Sequence, residues 1–296
     1  MWREGYVPGG DTRFWVRAMG HGDDLVVLLH GWPEDGTMWR RVAPMLVDAG
    51  YRVVCPDLKG FGRSDKPRRG YDPETLGDEI SQLIRNLHVK KAVVVGHDWG
   101  GAVALATAFR HPGRVRSLVL ASAPYRQLDL RSAWHIPLMN LPVLPELAFR
   151  RAAAPLIRRA FEHAAVVQEP FTDEVVEHYA AAISARPSAW LSYYRSLSRR
   201  ALLEGTVGRA RVLLPFANPR SSPPRLRVPT LVVWGEDDPV TKAELAPVVA
   251  ADLDAELVVI PGVGHFVPEE DPLAFVRAIV SRIGEAPSKR GSEVTA

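Results

Sequence analysis

Six short apolar runs recur along the chain: "DLVVLLHG", "YRVVCPD", "KAVVVGHD", "RSLVLASAP", "TLVVWGEDD" and "AELVVIPG". Each is nearly continuous rather than alternating, the pattern of strands buried on both faces of a parallel sheet. "DTRFWVRAMG" alternates instead and predicts an edge strand. Between the early runs, "TMWRRVAPMLVDAG", "PETLGDEISQLIRNLH" and "GGAVALATAFRH" read as helices. Strands alternating with helices predict a mostly parallel, doubly wound α/β domain.

The rhythm breaks between residues 126 and 220. That stretch is rich in Arg, Ala and Pro and has no strong strand run, so it predicts short helices interrupted by prolines. The organisation expected is a core of residues 1–125 and 221–286, with a helical cap of residues 126–220 inserted before the penultimate strands. The cap would lie over the carboxyl ends of the strands, where open α/β sheets bind ligands. The polar end, residues 287–296, predicts a disordered tail.

Composition narrows the function classes. With 296 residues, 47% of them hydrophobic, the chain can build one sizeable core. The net charge of +3 comes without a dense Lys/Arg run, which argues against nucleic acid as a partner. Cys55 is the single cysteine, so no disulfide framework is possible; at the end of an apolar run it reads as a small core residue. The first residues lack the apolar core of a signal peptide, and no apolar run reaches the ~20 residues of a membrane span. A cytoplasmic protein without membrane attachment is expected.

In a parallel sheet the loops after the strands gather at one edge, and four of them carry reactive groups. "GHDWGG" places Asp98 at the tip of a strand-to-helix turn, with Gly96, Gly100 and Gly101 at positions −2, +2 and +3. A sharp turn of this kind crowds its neighbours, which small residues relieve. An aspartate there could be only a helix N-cap, but a cap does not require glycines on both sides. "GVGHFVPEED" places His265 in a late loop. His97 and His30 are also near the edge; the first would point away from Asp98 and the second would order its own loop. "VVWGEDDPV" offers Asp237 and Asp238 as the acid that orients His265, with Asp238 preferred for Pro239 behind it. The order Asp98, Asp238, His265 matches nucleophile, acid and base. "LLHGWPED" lets the Trp32 N–H join that of Trp99 as an oxyanion hole.

A carboxylate attacking an acyl group would give an anhydride, a poor intermediate. It suits displacement at saturated carbon, giving an alkyl-enzyme ester that water activated by His265 then cleaves. The leaving group is then an epoxide oxygen or a halide.

At "HGWPED", "DLKGFGRSDKP", "GHDWGG", "WGEDDP" and "GVGHFVPEEDP" the chain resembles the epoxide hydrolases of the α/β-hydrolase fold, over about residues 5 to 285. The resemblance implies the α/β-hydrolase fold, an Asp nucleophile, a cis Trp32–Pro33 bond, and a cap pair that donates to the opening epoxide oxygen. In "WLSYYRSLSRR", Tyr194 matches the cap tyrosine and Tyr193 the aromatic before it. In "SAWHIPLMNLP", His135 stands where some members replace the second tyrosine. Without the resemblance, Tyr194 and His135 read equally as packing residues.

Haloalkane dehalogenases share the Asp elbow, often followed by Trp as Trp99 is here, but commonly carry Asn where this chain has Trp32. Haloacetate dehalogenases carry arginines where this chain has Trp99 and Ala102. A non-catalytic binding protein on the same fold is the third alternative. The sequence therefore predicts an epoxide hydrolase that makes a vicinal diol from a small apolar epoxide and water, with no cofactor and no metal. Oligomeric state is left open, a homodimer being one option.

Overall fold

The computed structural model describes residues 1–125, 127–129, 135–203, 211–213 and 226–284, with backbone alone for 127–129, 199–203 and 211–213. The predicted tail, residues 287–296, lies outside them, as does Trp134. The chain opens with β1 (Arg3–Gly9), β2 (Thr12–Met19) and β3 (Leu25–Leu29). A 3-10 turn (Gly36–Arg40), α1 (Val42–Asp48), β4 (Arg52–Pro56), α2 (Pro73–Asn86), β5 (Ala92–His97), α3 (Trp99–Arg110) and β6 (Val115–Ala121) follow. Next come β7 (Gln127–Asp129), α4 (His135–Met139), α5 (Leu144–Ala164), α6 (Asp173–Ser184), α7 (Pro187–Leu203) and β8 (Arg211–Leu213). The rest is β9 (Thr230–Gly235), α8 (Ala246–Leu253), β10 (Glu256–Ile260), α9 (Val267–Glu270) and α10 (Pro272–Ile283).

The main sheet has eight strands in the order β1-β2-β4-β3-β5-β6-β9-β10. The β1–β2 and β2–β4 pairs are antiparallel and the others parallel. The continuous apolar runs have a simple cause. Leu25, Val27 and Leu29 of β3 face the layer that holds α2 and α3, while Val26 and Leu28 face the layer that holds α1 and α10. Each such side chain is removed from water, at about 1.5–3 kcal/mol of stabilisation apiece. No helix among the described residues is long and apolar enough to cross a membrane.

Three expectations differ. β2 is not the edge strand: β1, which no apolar pattern announces, pairs with it over its whole length. β10 was expected to be buried on both faces; it is the other edge, and Glu256 and Val259 are exposed. "TMWRRVAPMLVDAG" forms a 3-10 turn and a separate short helix rather than one helix. Pro44 cannot donate to the Arg40 carbonyl, so a helix continuing through residue 40 would lose that bond.

Helices α4 to α7 lie between β6 and β9 in sequence and cover the carboxyl ends of the strands. α5 bends inside, with Ala152 at φ −141°, ψ 38°. Pro155 supplies the cause, since its ring leaves the Arg151 carbonyl without a helical donor.

Candidate active site

The turn from β5 into α3 puts Asp98 at φ 48°, ψ −121°, a left-handed conformation that few non-glycine residues adopt. Close approach makes this possible. A Cβ on Gly100 would sit 2.2 Å from the Leu29 carbonyl oxygen, and one on Gly31 would sit 2.7 Å from Asp98 Oδ2. The Asp98 side chain makes no cap hydrogen bond to α3. Instead its Oδ2 accepts from the Trp32 N–H at 3.0 Å, and the carboxylate lines a cavity. The Trp99 N–H belongs to the first residue of α3, and among the described residues it makes no hydrogen bond to that carboxylate. The Trp32–Pro33 peptide is cis.

His265 sits between β10 and α9, with its backbone N–H donated to the Ala164 carbonyl at the end of α5 (2.8 Å). Its Nδ1 lies 2.9 Å from Asp238 Oδ2. Asp238 is buried and also accepts from the Val240 and Thr241 amides and the Thr241 hydroxyl, while Asp237 is exposed. These bonds fix the acid, so Nδ1 carries the shared proton and Nε2 is the free basic position. Burial alone would push the His265 imidazole down, but Asp238 and then Asp98 outweigh it and raise it to about 9. Burial pushes the Asp238 carboxyl up, and His265 and Thr241 bring it below its usual range, to about 2.

The other histidines of this edge serve structure. His30 Nδ1 faces the Gly31 carbonyl at 2.8 Å and its Nε2 accepts from the Leu58 amide, which ties the loop after β3 to the loop after β4. His97 Nε2 faces the His265 carbonyl at 2.9 Å, beneath the base. Burial and the neighbouring His265 hold His97 down at about 4, so it stays neutral.

The cavity, ≈ 330 Å³, is lined by Asp98 and His265 from below and by His135 and Tyr194 from α4 and α7 above. Tyr194 stands edge-on to Trp99 with ring centroids 5.1 Å apart, and edge-on to His135 at 6.0 Å. Burial first, then the charge of Asp98, raises the Tyr194 phenol, which keeps it a protonated donor. Burial lowers His135 to about 4, so it is a neutral imidazole. Tyr193 points elsewhere and donates to the Lys59 carbonyl at 2.8 Å.

Two acidic residues with a hold on the site were not singled out from the sequence. Glu34 is fully buried, 3.4 Å from His97 Nδ1, and neither of its carboxyl oxygens has a hydrogen-bond partner among the described residues. Burial, with His265 lowering and Asp98 raising, leaves it well above the usual carboxyl range, as a neutral acid under the base. Glu270 accepts four backbone N–H groups, from Val166, Val167, Gly264 and Phe266, at 2.8–3.0 Å. It thereby binds the turn after α5 to the loop that carries His265. An acid directly after "HGWP" is a signal for Glu34; Glu270, in "VPEEDP", has none.

A family model described as alpha/beta hydrolase fold matches residues 24–272. Epoxide hydrolase 3 of Xenopus tropicalis is 32% identical over 285 residues, which is 90% of this chain and 71% of that protein. The AB hydrolase superfamily protein YfhM of Bacillus subtilis (strain 168) is 31% identical, covering 90% of this chain and 92% of its own length. Among solved structures, epoxide hydrolase A from Mycobacterium thermoresistibile aligns with a TM-score of 0.76 at 26% identity, over 96% of this chain and 98% of that one.

Proposed function

The chain belongs to the epoxide hydrolase family of the α/β-hydrolase fold, and from that premise we propose that it converts an epoxide to a vicinal diol through an ester on Asp98. One observation carries the reading: the Asp98 carboxylate is turned out of its capping role and into a cavity whose far wall holds a protonated tyrosine.

In the first step an Asp98 carboxylate oxygen attacks one epoxide carbon and the C–O bond to that carbon breaks. The Tyr194 hydroxyl donates to the developing alkoxide, with the neutral His135 imidazole as second donor. In the second step His265 Nε2 takes a proton from water, and the hydroxide attacks the Asp98 ester carbonyl. The tetrahedral oxyanion accepts from the Trp32 and Trp99 N–H groups. The acyl C–O bond breaks and the proton of the added hydroxyl passes to the departing alkoxide, so the diol leaves and Asp98 is again a carboxylate that keeps one oxygen from water; the proton taken up by His265 restores the Tyr194 phenol. Turnover in heavy-oxygen water therefore labels the peptide that contains Asp98. A peptide that never acquires label while diol accumulates rules the ester out.

Tyr194→Phe should slow alkylation about 100-fold and leave ester cleavage unchanged, since the donor acts only while the ring opens. Stopped-flow quenching of the protein fluorescence separates the two phases; an unchanged first phase removes Tyr194 from the step.

A halide leaving group has one feature in its favour. Trp32 lines the cavity, and its indole N–H is buried and without a partner among the described residues. Halide release from a haloalkane, measured beside diol formation from styrene oxide, separates the two reactions.

A further inference from the structure

One stretch of the cap is conspicuously apolar on its outside. Leu138, Leu141, Val143, Leu144 and Leu147 follow one another within residues 138–147, and each is between 37% and 63% exposed. Elsewhere among the described residues the exposed large hydrophobic side chains are scattered singly, which needs no explanation. The stretch joins α4 to α5 and is held in one shape. The Leu144 N–H donates to the Pro142 carbonyl at 2.7 Å across Val143, which stands at φ 65°, ψ −41°. This is a γ-turn of the rare, strained hand, a conformation that a β-branched residue seldom adopts. Arg195 of α7 braces the turn, donating to the Leu141 carbonyl at 3.0 Å and pairing with Glu146 at 2.7 Å. An apolar tip held outward at a cost in backbone strain points to a contact that folding alone does not supply.

Charge identifies the partner. Arg150 and Arg151 are exposed, follow Leu147 by three and four residues and so share its face of α5, and form no ion pair among the described residues. Glu146 is the only acid in residues 135–151, and Arg195 already holds it. A second copy meeting this face about a twofold axis would bring the same arginines and no free acid to meet them. We propose that residues 138–151 form a docking face for an anionic lipid bilayer. The aliphatic tip enters the boundary of the acyl layer, and the two arginines reach the lipid phosphates. Met139 and Phe149, in the same stretch, line the active-site cavity, so docking sets one wall of the cavity against the layer in which an apolar substrate dissolves. A surface contact of this kind needs no spanning helix, and it replaces the absence of membrane attachment expected from sequence.

Co-sedimentation of the full chain with vesicles tests this without any turnover, so its outcome is separate from that of the epoxide reading. The protein should sediment with vesicles of mixed phosphatidylglycerol and phosphatidylcholine. Its affinity for vesicles of phosphatidylcholine alone should be about 30-fold lower, the worth of two arginines at a charged surface. Arg150→Gln combined with Arg151→Gln should lower binding to the mixed vesicles by the same factor, and added salt should weaken it progressively. Val143→Asp should weaken it about tenfold or more. Aspartate tolerates a positive φ better than valine, so that variant should melt no lower than the wild type, which separates lost docking from lost folding. A wild-type protein that stays in the supernatant with the mixed vesicles overturns the proposal, as does binding that both variants leave unchanged. A dimer in sedimentation velocity that Val143→Asp converts to monomer also overturns it, because the face is then taken by a second copy.

Discussion

The His265→Gln enzyme, mixed with an epoxide, gains the mass of one substrate molecule and keeps it. The first step asks nothing of the imidazole: the nucleophile is already a carboxylate, and the proton for the alkoxide comes from α7. The second step depends on it. In the resting enzyme His265 is raised to about 9 by Asp238, with a contribution from Asp98, against the opposing effect of burial. It is therefore largely protonated near neutrality and poorly suited to take a proton. Esterification removes the charge on Asp98, and with it one of the interactions that favour the imidazolium. The imidazole becomes a better base at the moment the ester exists. Glutamine keeps much of the shape and cannot take the proton, so ester cleavage should fall by about 10²–10⁴-fold. Intact mass spectrometry reads the adduct, and tryptic mapping should place it on the peptide containing Asp98. An unmodified protein, with a substrate the wild type consumes, would falsify the two-step scheme.

Asp98→Ala should show neither adduct nor diol, a loss of about 10⁴-fold or more. Unfolding is not the cause to expect. The Asp98 carboxylate accepts the Trp32 amide and caps nothing, while alanine retains the Cβ and hence the same left-handed backbone cost. The melting temperature should therefore stay close to wild type. Residual diol formation near the wild-type rate, in protein shown by mass to carry the substitution, would assign the nucleophile elsewhere.

What the sequence makes legible follows from where the cause lies. The parallel strands announce themselves because burial on both faces leaves no polar position, as in β3 and β5. β1 does not, because it is made a strand by pairing with β2 rather than by its own composition. The elbow is legible from the glycines that allow its close contacts. Asp237 and Asp238 are chemically alike; only the fold buries one against His265 and leaves the other in water. Glu270 looks like a surface acid in the chain and Glu34 stands out only by its place after "HGWP"; both become buried groups through contacts with segments distant in sequence.

The bonds that Glu270 accepts make the loop of the base and the turn after α5 one mechanical unit. Upstream of that anchor, the loop between α4 and α5 makes none of these bonds, so a change of length there leaves the seat of His265 in place. The roof of the cavity can then be reshaped around Tyr194 and His135 while the half of the site that activates water keeps its seat.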